Sequence, residues 1–358
     1  MRDCSRKPVA QRFALIDFLR FFAAMMVAIM HWGLELGPER MQGVYDLPVI
    51  GFLIKNGGLG VDIFFLISGY VILETAMRKD SLDFLVARFI RLFPGLFISM
   101  TILALVSPKI VGNYQFSVAS YLNSIFLTYQ ALNVLPMASQ LWTLIFEIKF
   151  YGAVALVLLI FPKTFKSVKG ILFLFLVWQV SVGIFLALNS SSSASLSHYL
   201  NLGKSGTLFA FGICLNLLSR NLKELSYRCA AIFGVTIYFG YQMFSGSFYD
   251  SRSTVLIVCS SLLILIARHI DFSIKFTKVL QLLGLSSYLI YLLHEHLGTF
   301  FMMLFQAHAS NNLFVLLAFS TLFITLSSLL IAYFIEKPIQ EFMKNKSKFF
   351  VKRNQQMN

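Results

Sequence analysis

Charge is scarce in this sequence. Of its 358 residues, 13% are Asp, Glu, Lys or Arg, while 58% are hydrophobic and 38 are Phe. A water-soluble surface needs a much larger charged share, so a sizeable soluble domain is excluded. Cysteine is scarce as well. Cys4, Cys214, Cys229 and Cys259 lack the close paired spacing of a disulfide framework or a zinc site, and we read them as structural. No internal repeat is present, and the one low-complexity stretch is a serine run at 190–193, suited to an external loop.

Long apolar runs fill the rest. Each is near the roughly 20 residues that carry a helix across a ~30 Å hydrocarbon core. Hydropathy, with punctuation by Gly, Pro and charge, predicts an all-α, polytopic transmembrane helical bundle of about ten spans. They fall at 13–34, 58–76, 90–108, 141–161, 170–189, 202–218, 229–244, 253–268, 281–305 and 312–335. The first apolar segment contains Asp17 and Arg20 and has no small-residue cleavage site, so it reads as a retained span rather than a secretory signal. Of the 30 basic residues, only Arg40, Lys55, Lys109, Lys204 and Arg252 fall on the side opposite the N-terminus, with Arg20 and Lys149 at membrane depth. Basic loops stay on the cytoplasmic side, which predicts that both termini are cytoplasmic. The same bias accounts for the net charge of +14, by topology and attraction to anionic membrane lipid, with no nucleic-acid partner. Residues 1–340 form one transmembrane domain and 341–358 a basic, frayed cytoplasmic tail at the membrane surface.

Ionisable residues at membrane depth are costly and are usually kept for function or for a specific partner. Asp17 and Arg20 lie three apart on one helical face. Arg20 and His31 are eleven apart, which returns to within roughly 20° of the same face after about 16 Å of rise. The second span opens GGLGVDIFFLISGY, with Asp62 near its outer end and Ser68 near mid-membrane. The fourth opens QLWTLIFEIKFY, with Glu147 in its outer half and Tyr151 one turn deeper. His31, Asp62 and Glu147 are thereby expected in one layer, where a carboxylate could orient a histidine acting as general base. Lys149 either snorkels outward or pairs with Glu147. Arg88 and Arg91, in FLVARFIRLFP at the start of the third span, suit a phosphate clamp or ordinary positive-inside flanking. In SSYLIYLLHEHLG, His294 and His296 are two apart and point to different faces, so no metal pair is expected. His294 is the one assigned to a cavity. Glu336 in FIEKPIQEF could complete an inner polar site, and Pro338 is expected to stop the last span there.

Taken in order, IDFLRFFAAMMVAIMH, GGLGVDIFFLISGY, ARFIRLFP, LWTLIFEIKFY, SSYLIYLLHEH and EKP resemble the acyltransferase-3 family of bacterial integral membrane acyltransferases, over nearly the whole chain. The resemblance implies a bacterial plasma-membrane enzyme. It would transfer an acyl group, most often acetyl, from cytoplasmic acetyl-CoA or another acyl-CoA to a hydroxyl of a surface polysaccharide, lipopolysaccharide or related glycan or glycolipid, with no metal. The roles it implies are catalysis by His31, with Glu147 and Asp62, and donor binding by Arg20, Arg88 and Arg91. Asp17, Ser68, Tyr151, His294 and Glu336 support them. His31 would be either a general base or a transient acyl carrier. Glu295 and His296 stand where many relatives have a proline soon after the histidine. The alternative reading of the intramembrane charges is a proton-coupled transporter or flippase of a glycan or lipid intermediate.

Overall fold

The computed structural model describes residues 13–40, 48–110, 117–174, 203–220, 251–308 and 313–357, with positions 177, 224 and 228. Every regular element among them is helical. In chain order these are α1 (Ala14–Arg40), α2 (Pro48–Asn56), α3 (Leu59–Ala76), α4 (Ser81–Ile110), α5 (Val118–Ile125), α6 (Trp142–Ile160), α7 (Gly203–Arg220), α8 (Ser251–Ile266), α9 (Ile274–Leu293), α10 (Thr299–His308), α11 (Leu313–Ile331) and α12 (Lys337–Met357). A short 3-10 turn, Ser139–Leu141, leads into α6. Two five-residue π-turns interrupt the last spans, His294–Gly298 after α9 and Ala332–Glu336 after α11.

Six stretches among the described residues are long and apolar enough to cross a membrane: Ala14–Glu35, Leu59–Ala76, Ser81–Val106, Ser139–Ile160, Ile274–Phe305 and Phe314–Ser347. They coincide with six of the expected spans. The expected spans at 202–218 and 253–268 are helical as α7 and α8, but α8 carries only a shorter apolar stretch, Thr254–Ile266. The span at 229–244 and most of that at 170–189 lie outside the described residues.

Two helices start earlier than hydropathy predicts. The α4 helix begins at Ser81, where the Asp80 carboxylate accepts a hydrogen bond from the Asp83 N–H (2.8 Å), an N-cap. Arg88 and Arg91 therefore sit two to three turns inside a helix and not at its start. The α9 helix begins at Ile274, capped by the Ser273 hydroxyl on the Phe276 N–H (3.3 Å). Lys275, Thr277 and Lys278 populate its opening turns and mask them from a hydropathy window. The end of the last span also differs: Pro338 does not stop the helix, and α12 continues to Met357, so the expected frayed tail is helical. The π-turn before Pro338 explains this. It shifts the hydrogen-bond register, with the Lys337 N–H on the Ala332 carbonyl, and so relieves the contact a proline ring makes with the preceding turn.

The chain divides into two compact units. One comprises Met1–Ile16, Asp62–Leu85 and Phe146–Phe272, the other Asp17–Val61, Val86–Ile145 and Ser273–Asn358. In the first, α3 and α7 cross backbone to backbone. A Cβ at Gly69 would lie 2.0 Å from the Phe209 carbonyl oxygen, and one at Gly212 would lie 2.0 Å from the Leu66 oxygen. Only glycine permits this approach, a common device where helices meet in lipid. In the second unit, α1 lies along α9 and the π-turn after it. Asp17 sits against Gly284, His31 against His294 and Trp32 against Gly298, so both helices run in the same direction. In a membrane, that requires an odd number of crossings between them.

Candidate functional site

The second unit brings His31 and His294 together. Their ring centroids are 5.1 Å apart and perpendicular. His294 is fully buried, and its Nδ1 lies 2.7 Å from the Tyr291 carbonyl oxygen and 3.2 Å from that of Ile290. Two acceptors on Nδ1 place the proton there. Nε2 of the neutral ring is then a lone pair, and it accepts no hydrogen bond among the described residues. The π-turn holds this ring in place: Trp32, itself buried, donates its indole N–H to the His294 carbonyl (2.9 Å). Single π-turns within α-helices frequently mark functional positions.

A polar layer surrounds the pair. Gln140, only 2% exposed, donates Nε2 to the Leu292 carbonyl (2.8 Å), while its own backbone carbonyl accepts from the hydroxyls of Thr143 (3.0 Å) and Tyr291 (3.2 Å). The Ser139 hydroxyl donates to the Glu295 carboxylate (2.8 Å). Glu295 and Glu35 both act electrostatically on His296.

Nearer the N-terminal end of α1, the same unit gathers a second cluster. Arg20 pairs with Asp17 at 3.8 Å. Arg91 pairs with the buried Glu336 at 3.8 Å, and its guanidinium lies 5.8 Å from the centre of the Tyr288 ring. Gln340 donates to Glu336 (2.8 Å), while the other carboxylate oxygen of Glu336 takes no hydrogen bond among the described residues. Arg91 acts on both Asp17 and Glu336, so these residues form one electrostatic group. Arg88 is half-buried one turn before Arg91 on α4.

The first unit holds the remaining expected residues. Asp62 is 5% exposed. Glu147 accepts hydrogen bonds from Ser68 (3.2 Å) and, at very short range, from Tyr151 one turn on. Lys149 faces outward, its ammonium 5.6 Å from the Phe146 ring centre. Of the three residues expected in one layer, His31 lies in the second unit and Asp62 and Glu147 in the first.

Sequence reading missed one network in this unit. Glu74 on α3 binds Arg220 (2.9 Å), Arg268 and Arg78 (3.4 Å), and also accepts from Asn216 (3.3 Å). Asn216 donates to the Tyr70 carbonyl (2.7 Å), and the Tyr70 hydroxyl meets Ser219 (3.0 Å). The signal was available: a lone glutamate near the end of an apolar span is as costly as Asp62. Among the described residues no three His, Cys, Asp or Glu side chains gather as a metal site.

Residues 13–336 match a family model described as an acyltransferase domain. The chain is 30% identical over 170 residues to nodulation protein 10 of Rhizobium leguminosarum bv. viciae, covering 41% of this chain and 44% of that one. It is 42% identical over 82 residues to an O-acetyl transferase of Shigella phage Sf6, 22% of each chain. It is also 28% identical over 112 residues to a regulator of hypoxia-inducible factor 1 of Caenorhabditis elegans, 26% of this chain and 22% of that one. Each match spans less than half the length of the relative. No solved structure matches the chain. The family match nonetheless runs from the start of α1 to Glu336 and includes His31, His294, Arg20, Arg88 and Arg91, and the chain belongs to the acyltransferase-3 family.

Proposed function

We propose that the protein is a multi-pass membrane O-acyltransferase of the bacterial inner membrane. It moves an acyl group, in the first instance acetyl, from cytoplasmic acyl-CoA to a hydroxyl of a surface glycan or glycolipid. The observation that carries this reading is the His31–His294 pair, a base positioned beside a buried imidazole of fixed tautomer, eleven residues along α1 from a basic cluster. The family match and the O-acetyl transferase among the relatives support it.

The donor's phosphates suit Arg20, Arg88 and Arg91, whose planar guanidinium groups bind phosphate in pairs of hydrogen bonds. Asp17 and Glu336 orient two of these arginines. His31 takes the proton of the acceptor hydroxyl, and the hydroxyl oxygen bonds to the acyl carbon. The thioester C–S bond breaks, and the thiolate takes the proton from the imidazolium, leaving free CoA and an acyl ester. Within the first unit, Ser68 and Tyr151 hold the Glu147 carboxylate. General base catalysis of this kind contributes about 10²–10⁴-fold. The same residues allow His31 to carry the acyl group transiently: its ring nitrogen bonds to the acyl carbon as the C–S bond breaks and CoA leaves as the thiol, and the acceptor hydroxyl then displaces the imidazole to give the ester.

The test is transfer of label from radiolabelled acetyl-CoA to glycan extracted from the source bacterium, by purified full-length protein in lipid nanodiscs. Label in ester linkage on the glycan is expected. Counterflow of glycan across vesicles with no CoA donor, and no ester formed, would establish the transporter reading instead.

A further inference from the structure

Two of the buried side-chain atoms on and beside the π-turn after α9 that take no hydrogen bond among the described residues can only accept one. Nε2 of His294 is a lone pair because Nδ1 carries the proton, and Oε1 of Gln140 faces away from the Leu292 carbonyl that takes its amide N–H. Both side chains are at least nine-tenths buried. A buried acceptor without a donor costs about 1–3 kcal/mol, so the missing partner is a group that donates. Beside them the Glu295 carboxylate, half-buried on the π-turn, spends one oxygen on the Ser139 hydroxyl. A carboxylate offers about four lone-pair sites, and those left over also seek donors. All of these atoms accept, and none presents a cation to a negatively charged ligand. Glu35 and Glu295 instead make the rim of the layer acidic.

We propose that Gln140, His294 and the Ser139–Glu295 pair form the acceptor subsite, and that it takes an uncharged sugar. The hydroxyls of the sugar fill the vacant acceptor positions, and a sugar bearing a carboxylate is turned away by Glu295. The proposal rests on the acyl-transfer reading and adds to it the class of acceptor. His294 contributes from the π-turn, with Trp32 fixing the carbonyl at its base. Glu295 sets specificity because it is the only group of the three whose charge distinguishes a neutral sugar from an acidic one.

The test uses methyl α-glucopyranoside and methyl α-glucuronopyranoside as probes of the full-length protein in nanodiscs. Binding is followed by saturation-transfer NMR, and transfer with radiolabelled acetyl-CoA. The neutral glycoside is expected to bind and to accept acetyl with KM about tenfold or more below that of the acidic one. Gln140→Leu should raise the KM of the neutral glycoside about tenfold, as expected when a hydroxyl loses its buried partner. Glu295→Gln should bring the two glycosides to nearly equal KM, a gain for the acidic probe that misfolding could not produce. If neither glycoside binds, or if Glu295→Gln leaves the wild-type preference intact, the subsite is wrong. If binding and its dependence on Glu295 are as expected but no acetyl moves, the subsite stands and the transfer reading fails.

Discussion

At the scale of single residues, the informative side chains are those whose hydrogen-bonding capacity is partly spent. His294 commits Nδ1 to two carbonyls, and Arg91 is shared between Asp17 and Glu336. Arg91→Lys keeps the charge but loses the planar fork. We expect KM for acetyl-CoA to rise about tenfold with kcat within a fewfold of wild type, read by steady-state kinetics; a change confined to kcat would remove Arg91 from donor binding. Local pairs were legible in the sequence because helical spacing alone brings them together. Asp17 with Arg20 and Glu147 with Tyr151 are three and four residues apart. Most of the Glu74 network was not legible in that way: Arg78 is four residues on, but Asn216 and Arg268 lie 142 and 194 residues away. The arginines of that network carry enough charge bias to pass as ordinary inner-loop residues.

At the scale of elements, the lipid makes spans easy to find and their ends hard. A chain in hydrocarbon must satisfy its backbone within each helix, so apolar length alone located α1, α3, α6 and α11. Hydropathy has no term for a capping side chain, so Ser273 and Asp80 moved two helix starts toward the N-terminus. It also carries no information on hydrogen-bond register, and both π-turns were invisible to it. These turns matter because each carries a buried ionisable residue, His294 in one and Glu336 in the other. The glycine crossing of α3 and α7 gives a direct check on packing. Gly69→Ala would force a methyl to within 2.0 Å of the Phe209 carbonyl oxygen, and overpacking of this kind costs about 1–3 kcal/mol. A lower midpoint in thermal unfolding of the detergent-solubilised protein is expected, whereas an unchanged midpoint would show that α3 and α7 are further apart.

At the scale of the whole molecule, the charge bias of the loops predicts an orientation in the membrane, and the proposed transfer takes its direction from it. Arg20 and His31 lie eleven residues apart on one helix, so under the proposed function donor and acceptor would be handled at different levels of the membrane. The proposed function puts the basic C-terminal helix on the cytoplasmic side, from which the acyl donor would arrive. A cysteine at Lys344 in an otherwise cysteine-free background should be protected from a membrane-impermeant maleimide in intact cells, and one at Asn133 should be labelled. The reverse pattern would invert the topology and with it the direction of transfer. The acyl-transfer account as a whole depends most on His31. In protein matched for membrane insertion, His31→Ala should lower kcat for acetyl transfer by at least about 10²-fold, while binding of acetyl-CoA stays near that of wild type. Transfer by His31→Ala at the wild-type rate would contradict the account at its centre.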